Sequence, residues 1–175
     1  MLRILQREVD RPLDMKKLQQ IMPSFVRVAR YDRLKGVKTL KEAMKGQITV
    51  LVLLWNIHDK KHRTLDTPGH FFVISVRGPE PCVVFSSTGM TPKKELFLTQ
   101  SDPGLLDRIL PKGTVYNNVK LQIGNSSQTC WRYAIIFAHL APMGLKKFQS
   151  LFSKPNLHIA DSDLLATVMT YPLLF

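Results

Sequence analysis

Cysteine and histidine are the residue types from which a thiol nucleophile is built, and this chain has two of the first and five of the second in 175 residues. Cys130 stands in NSSQTCWRYAIIFAHLA, residues 125–141, where a small, polar stretch gives way to an apolar run compatible with a buried helix. A helix beginning near Thr129 puts Cys130 in its first turn, where unbonded backbone N–H groups and the positive end of the helix dipole favour an anion. A thiol there ionises more readily, and a neighbouring histidine completes an activated cysteine nucleophile. The competing reading is an inert core thiol, since free cysteine is among the most often buried residue types. Cys82, inside the apolar CVVF run at 82–85, takes that core reading.

Helical geometry narrows the choice of histidine. His139 follows Cys130 by nine residues on the same expected helix, about 13 Å along its axis and on the opposite face, out of reach of the thiol. His58 and His62 have the i, i+4 spacing of a metal pair, but they fall in the charged loop HDKKHRTLDTPG with no helical glutamate beside them. A solvated basic loop describes them better, and no metal is expected. His158 lies in a C-terminal connection. His70 follows Pro68 and Gly69 at the head of an apolar strand, a place where a fixed imidazole meets solvent and substrate.

The elements that must position these groups follow from periodicity. LDMKKLQQIM at 13–22 carries apolar side chains at helical spacing and ends before Pro23. GQITVLVLLWNI at 46–57 is apolar and β-branched, as a central strand covered on both faces requires. HFFVISV at 70–76 is a second strand, GPEP at 78–81 a turn, and CVVF the returning strand of a hairpin. A short helix near 103–109 precedes a further strand, TVYNNVKLQI at 114–123. Helices over 129–140, 144–153 and 162–170, the last capped by Asp161, complete the chain. The expected fold is α+β, a mainly antiparallel sheet with helices gathered at both ends of the sequence.

Composition bounds the class. With 45% apolar residues and no repeat or linker long enough to divide it, residues 1–175 read as one domain, able to bury about 70% of its unfolded surface. Two cysteines and no secretory leader point to a reducing compartment, and the longest apolar run is far short of a membrane span. A soluble intracellular protein is expected. Twenty-five Lys and Arg against thirteen Asp and Glu leave +12, of which +7 falls in residues 1–45. Such a field draws polyanions, nucleic acid first among them. A solvated basic face is the equal alternative, because no stacking platform of aromatic residues interleaves the charges.

The order GHFFVISV, then CVVFSSTGM, then LQIGNSSQTCWRYAIIF resembles the adenain-like cysteine proteases, the family of the adenovirus maturation protease, with relatives in large DNA viruses and among SUMO-type deconjugases. FVRVARYDRLKGV at 25–37 and LLWNI at 53–57 are similar to earlier segments of that family, so the likeness spans roughly residues 13–140. Each piece is short, and their shared order and spacing carry the resemblance. It implies a papain-like fold with the nucleophile at the start of a central helix. Cys130 would be the nucleophile and His70 the general base that later protonates the leaving amine. Gln122, with the backbone N–H of Cys130, would hold the oxyanion, and Gln128 is a competing donor two residues before the thiol.

Two positions depart from the family pattern. Ser86 stands where the family has Glu or Asp, and it can accept from the imidazole but brings no charge, which should lower the rate. Trp131 stands where glycine usually follows the nucleophile, either narrowing the substrate groove or pointing into the core. The resemblance further implies a monomeric late viral endopeptidase that cuts capsid and core precursors at short glycine-containing sites, in the host nucleus and the virion. It needs no cofactor beyond viral DNA, bound through the basic surface, and an activating peptide. That peptide would bind non-covalently, because Pro111 to Thr114, aligned with the family's bridging cysteine, contains none. Two other expectations stand beside this one: an inactive protease-fold virion protein that binds DNA or capsid, and a deconjugase of ubiquitin-like modifiers.

Overall fold

The β-branched run near residue 50 forms an interior strand of a five-stranded sheet, in a computed structural model that describes residues 15–56, 69–98, 104–122, 129–153 and 159–174. The strands are β1 (Val26–Arg30), β2 (Val50–Asn56), β3 (Gly69–Ser75), β4 (Val83–Ser86) and β5 (Val115–Tyr116), lying in chain order. The helices are α1 (Met15–Ile21), α2 (Leu40–Met44), α3 (Pro92–Leu98), α4 (Gly104–Ile109), α5 (Cys130–Leu140), α6 (Leu145–Ser150) and α7 (Ile159–Thr170). The class is α+β, as expected. Among the described residues no helix is long and apolar enough to cross a membrane.

Alternation along the strands builds two cores. Val50, Val52, Phe71, Val73, Val83 and Phe85 face a layer made of α1, α5, α6 and α7. Leu51, Leu53, Phe72, Ile74 and Val84 face the opposite layer, which holds α2, α3 and α4. Successive side chains of a strand point to opposite faces, so β2 is apolar from Val50 to Leu54 because both of its faces are covered there. Phe85 stacks on Phe137 of α5 at 4.5 Å between ring centroids, and Phe148 of α6 meets both rings edge-on. Aromatic pairs of this geometry add about 0.5–1.5 kcal/mol beyond their buried area. They pin α5 across the sheet.

The sheet is mixed, which corrects the mainly antiparallel expectation. β2–β3 and β3–β4 are antiparallel, but β1–β2 and β4–β5 are parallel. Parallel neighbours need a crossover, and the segments carrying α2 and, between β4 and β5, α3 and α4 supply it. Helices therefore intervene between strands instead of gathering at the ends of the sequence. Among the described residues of the expected 114–123 strand, only Val115–Tyr116 joins the sheet. Asn117 turns the chain out of it: its Oδ1 accepts from Val119 N at 3.1 Å, and its Nδ2 donates to the carbonyls of Ser86 and Val119. An Asx side chain that bonds two residues ahead competes with the ladder in this way. α7 begins at Ile159, so position 161 lies inside the helix rather than at its cap.

Candidate active site

Cys130 is the first residue of α5 and is 6% exposed. Thr129, at the cap position, makes no side-chain hydrogen bond to the first turn. Its hydroxyl donates instead to Asp163 Oδ1 on α7 at 2.8 Å. The start of the helix is thus held from the side while the end that carries the thiol receives no side-chain cap from Thr129.

His70 sits near the start of β3, opposite Trp55 in the β2–β3 register. Its imidazole lies close enough to the Cys130 side chain for the two to interact, so two residues far apart in sequence meet at one end of the sheet. Ser86, which closes β4 and pairs with Phe72, is the diagonal neighbour of His70 on the same face. Ser86 Oγ lies 3.0 Å from His70 Nε2. The same hydroxyl donates to Glu95 Oε1 on α3 at 2.6 Å. Thr88 contacts Ser86 Oγ at 2.9 Å and also donates to Glu95 Oε1. The second carboxylate oxygen, Glu95 Oε2, is 3.6 Å from His70 Nε2.

Glu95 is 3% exposed. Burial by itself holds the His70 pKa down, but the hydrogen bond to Cys130, the charge of a Cys130 thiolate and the Glu95 carboxylate outweigh it and raise the value. The site therefore favours an imidazolium beside the sulfur. The thiol comes from the helix layer on one face of the sheet, the carboxylate from the layer on the other, and the imidazole and hydroxyl from strand ends between them.

Gln122 is 6% exposed and held on its oxygen side. Ser87 Oγ donates to Gln122 Oε1 at 2.7 Å, and the Ser87 carbonyl accepts from the backbone N–H groups of Leu121 and Gln122 at 2.8 and 3.0 Å. Fixing Oε1 decides which end of the amide is the donor. The Leu121 carbonyl is bound in turn by Tyr133 of α5, at 3.0 Å, and Ser162 of α7, at 2.7 Å. Burial, with the Asp163 charge added, pushes the Tyr133 phenol far above its ordinary range despite an opposing hydrogen bond from Ser162. Tyr133 therefore stays a donor, to Leu121 O and to Asp163 Oδ1 at 2.9 Å.

The remaining expected residues are placed as follows. Trp131 is buried in the core, with the Arg132 guanidinium 4.1 Å from its ring centre, so of the two orientations open to it the inward one is found. Cys82 is fully buried, and burial raises its thiol pKa against a hydrogen bond with Thr114. His139 lies on α5 with its ring bonded to the Ile21 backbone, away from the thiol. His58, His62, Gln128 and His158 lie outside the described residues.

Sequence reasoning missed Glu95, Thr88, Ser87 and Asp163. Glu95 had a signal. On α3, Pro92, Glu95 and Leu96 are buried while Lys93, Lys94 and Phe97 are exposed, so an acidic residue occupies the i, i+3, i+4 stripe that faces the core.

Comparisons add little. No family model matches the chain, and no curated protein matches it. Among solved structures, the central domain of an uncharacterized Legionella pneumophila protein aligns over 92% of this chain and 98% of its own, at 11% identity and a TM-score of 0.44. A likeness of that size carries no argument about function.

Proposed function

We propose that the protein is a thiol endopeptidase of the adenain-like, papain-like kind, with Cys130 as nucleophile and His70 as general base. The observation that carries this reading is the meeting of the His70 imidazole with the side chain of a cysteine at the first position of an 11-residue helix. Base and nucleophile within bonding reach, with a third group orienting the base, is the arrangement of covalent acyl transfer.

In the first step the Cys130 sulfur attacks the carbonyl carbon of the scissile peptide. The C=O bond opens to an oxyanion and His70 holds the thiol proton. The Gln122 amide and the first backbone N–H groups of α5 are the donors suited to that oxyanion, in a setting dry enough to strengthen them. The oxyanion collapses, the C–N bond breaks, and the imidazolium gives its proton to the leaving amine. Water, deprotonated by His70, then hydrolyses the thioester and restores the thiol.

The substrates proposed are capsid and core precursors of a DNA virus, cut in the nucleus and the particle, on the strength of the sequence resemblance. The partner proposed for the basic surface is DNA, supported by +12 overall. Co-expression of the wild type and Cys130→Ala with candidate precursors tests the reading. Processing by the wild type alone supports it, and processing by both or by neither overturns it. A di-glycine conjugate cleaved while precursors stay intact would assign the site to a deconjugase instead.

A further inference from the structure

Deepening the reading of Cys130 and His70 just given, and resting on it, we infer that Ser86 and Glu95 divide between them the role of the third member of the site. Ser86 supplies the contact to the imidazole. Glu95 supplies the charge and acts through it as a positioning residue. Sequence alone gave Ser86 the contact without the charge, and the structure returns that charge from a different element, α3, in the layer across the sheet from the thiol's helix.

Three observations converge on this division. The links His70 Nε2 to Ser86 Oγ and Ser86 Oγ to Glu95 Oε1, 3.0 and 2.6 Å, are both within hydrogen-bond range, whereas the direct Nε2 to Oε2 separation of 3.6 Å is too long for one. Glu95 is buried, and a buried carboxylate is costly unless hydrogen-bonded and faced by a cation. Two hydroxyls, Ser86 and Thr88, converge on the same oxygen, Oε1, which leaves Ser86 oriented with its O–H toward the acid and its lone pairs toward the ring. With the imidazolium present, ring N–H donates to the hydroxyl and the hydroxyl donates to the carboxylate. Every donor then has its acceptor, and no proton need leave the ring. With neutral imidazole the carboxylate faces no cation, so the arrangement favours the charged ring.

The test is the pH profile of Cys130 alkylation by iodoacetate on the full chain, followed on the Cys130 peptide by mass spectrometry. The anionic reagent reacts fastest with a thiolate beside an imidazolium, so the alkaline fall in rate marks loss of the His70 proton. Glu95→Gln should move that fall down by about one pH unit, a tenfold change in the protonation equilibrium. Ser86→Ala, which keeps the carboxylate but removes its route, should move it the same way. Ser86→Asp combined with Glu95→Gln, which places the charge directly beside the ring, should restore it. A limb unmoved by Glu95→Gln overturns the inference, and so does a limb moved by Glu95→Gln but not by Ser86→Ala. Should Glu95→Gln fail to fold, Ser86→Ala decides alone. A wild type whose Cys130 shows no such profile overturns the Cys130–His70 reading and this inference with it, whereas a normal wild-type profile with unmoved variants overturns only the latter.

Discussion

Asp163 of α7 accepts a 2.8 Å hydrogen bond from Thr129, the residue immediately before the candidate nucleophile. It also accepts from Tyr133, one turn further along α5. The C-terminal helix thus holds the start of α5 although it follows the nucleophile by some thirty residues. Asp163→Ala leaves two buried hydroxyls without this acceptor and should cost about 1–3 kcal/mol. Asp163→Asn keeps an acceptor and should cost less. Urea unfolding of the two variants beside the wild type measures the difference, and equal stabilities would show that the link is idle.

Gln122 separates binding from chemistry. If its amide serves the oxyanion, Gln122→Ala should lower kcat about 10²–10³-fold with KM little changed. Cys130 alkylation should be unaffected, because the imidazole and thiol stay in place. A change confined to KM would make Gln122 a substrate contact.

Gly89 lies where the turn after β4 packs against the segment leading to Gln122. Its φ is +71°, and a Cβ there would stand 2.6 Å from Lys120 N and 2.7 Å from Val119 C, both backbone atoms. Gly89→Ala meets strain and clash together and should destabilise the fold by about 1–3 kcal/mol. The displaced turn carries Ser86, Ser87 and Thr88, so activity should fall further than stability predicts. Thermal melting and peptide hydrolysis on one preparation check both.

The two partly buried histidines oppose each other in pH. His139 has its pKa lowered by burial, against a hydrogen bond to the Ile21 backbone. Its contribution to stability is present above about pH 6.5, the unfolded value, and is lost as pH falls toward the lowered folded value. His70 has its pKa raised. Its contribution is complete below about pH 6.5 and is lost as pH rises through the folded value. His139→Leu should therefore flatten the acid side of the stability profile and leave the other side unchanged, as melting temperatures between about pH 5 and pH 8 would show. An unchanged acid side would place the acid-sensitive group elsewhere.

Local pattern was enough to find α1, α5, β2, β3 and β4, and it marked Cys130 and His70 as the candidates among two cysteines and five histidines. These elements are long, uniformly apolar or strongly periodic, and helix geometry alone removed His139. Tertiary structure decided the rest. β1 and α2 are short segments of mixed polarity, and their placement depends on a parallel pairing that no local period encodes. Asn117 ends β5 because its side chain finds the Ser86 carbonyl, 31 positions earlier, along with Val119 nearby. Glu95 is legible as an acid on an apolar stripe, but what it faces is not, since its partners Ser86 and His70 lie 9 and 25 positions away on other elements. Sequence specifies which residues are able to do chemistry, through their own pKa, size and propensity. Only the packing of one helix layer on each side of the sheet specifies which charge the imidazole meets, because that contact depends on distance across the fold and not on spacing along the chain.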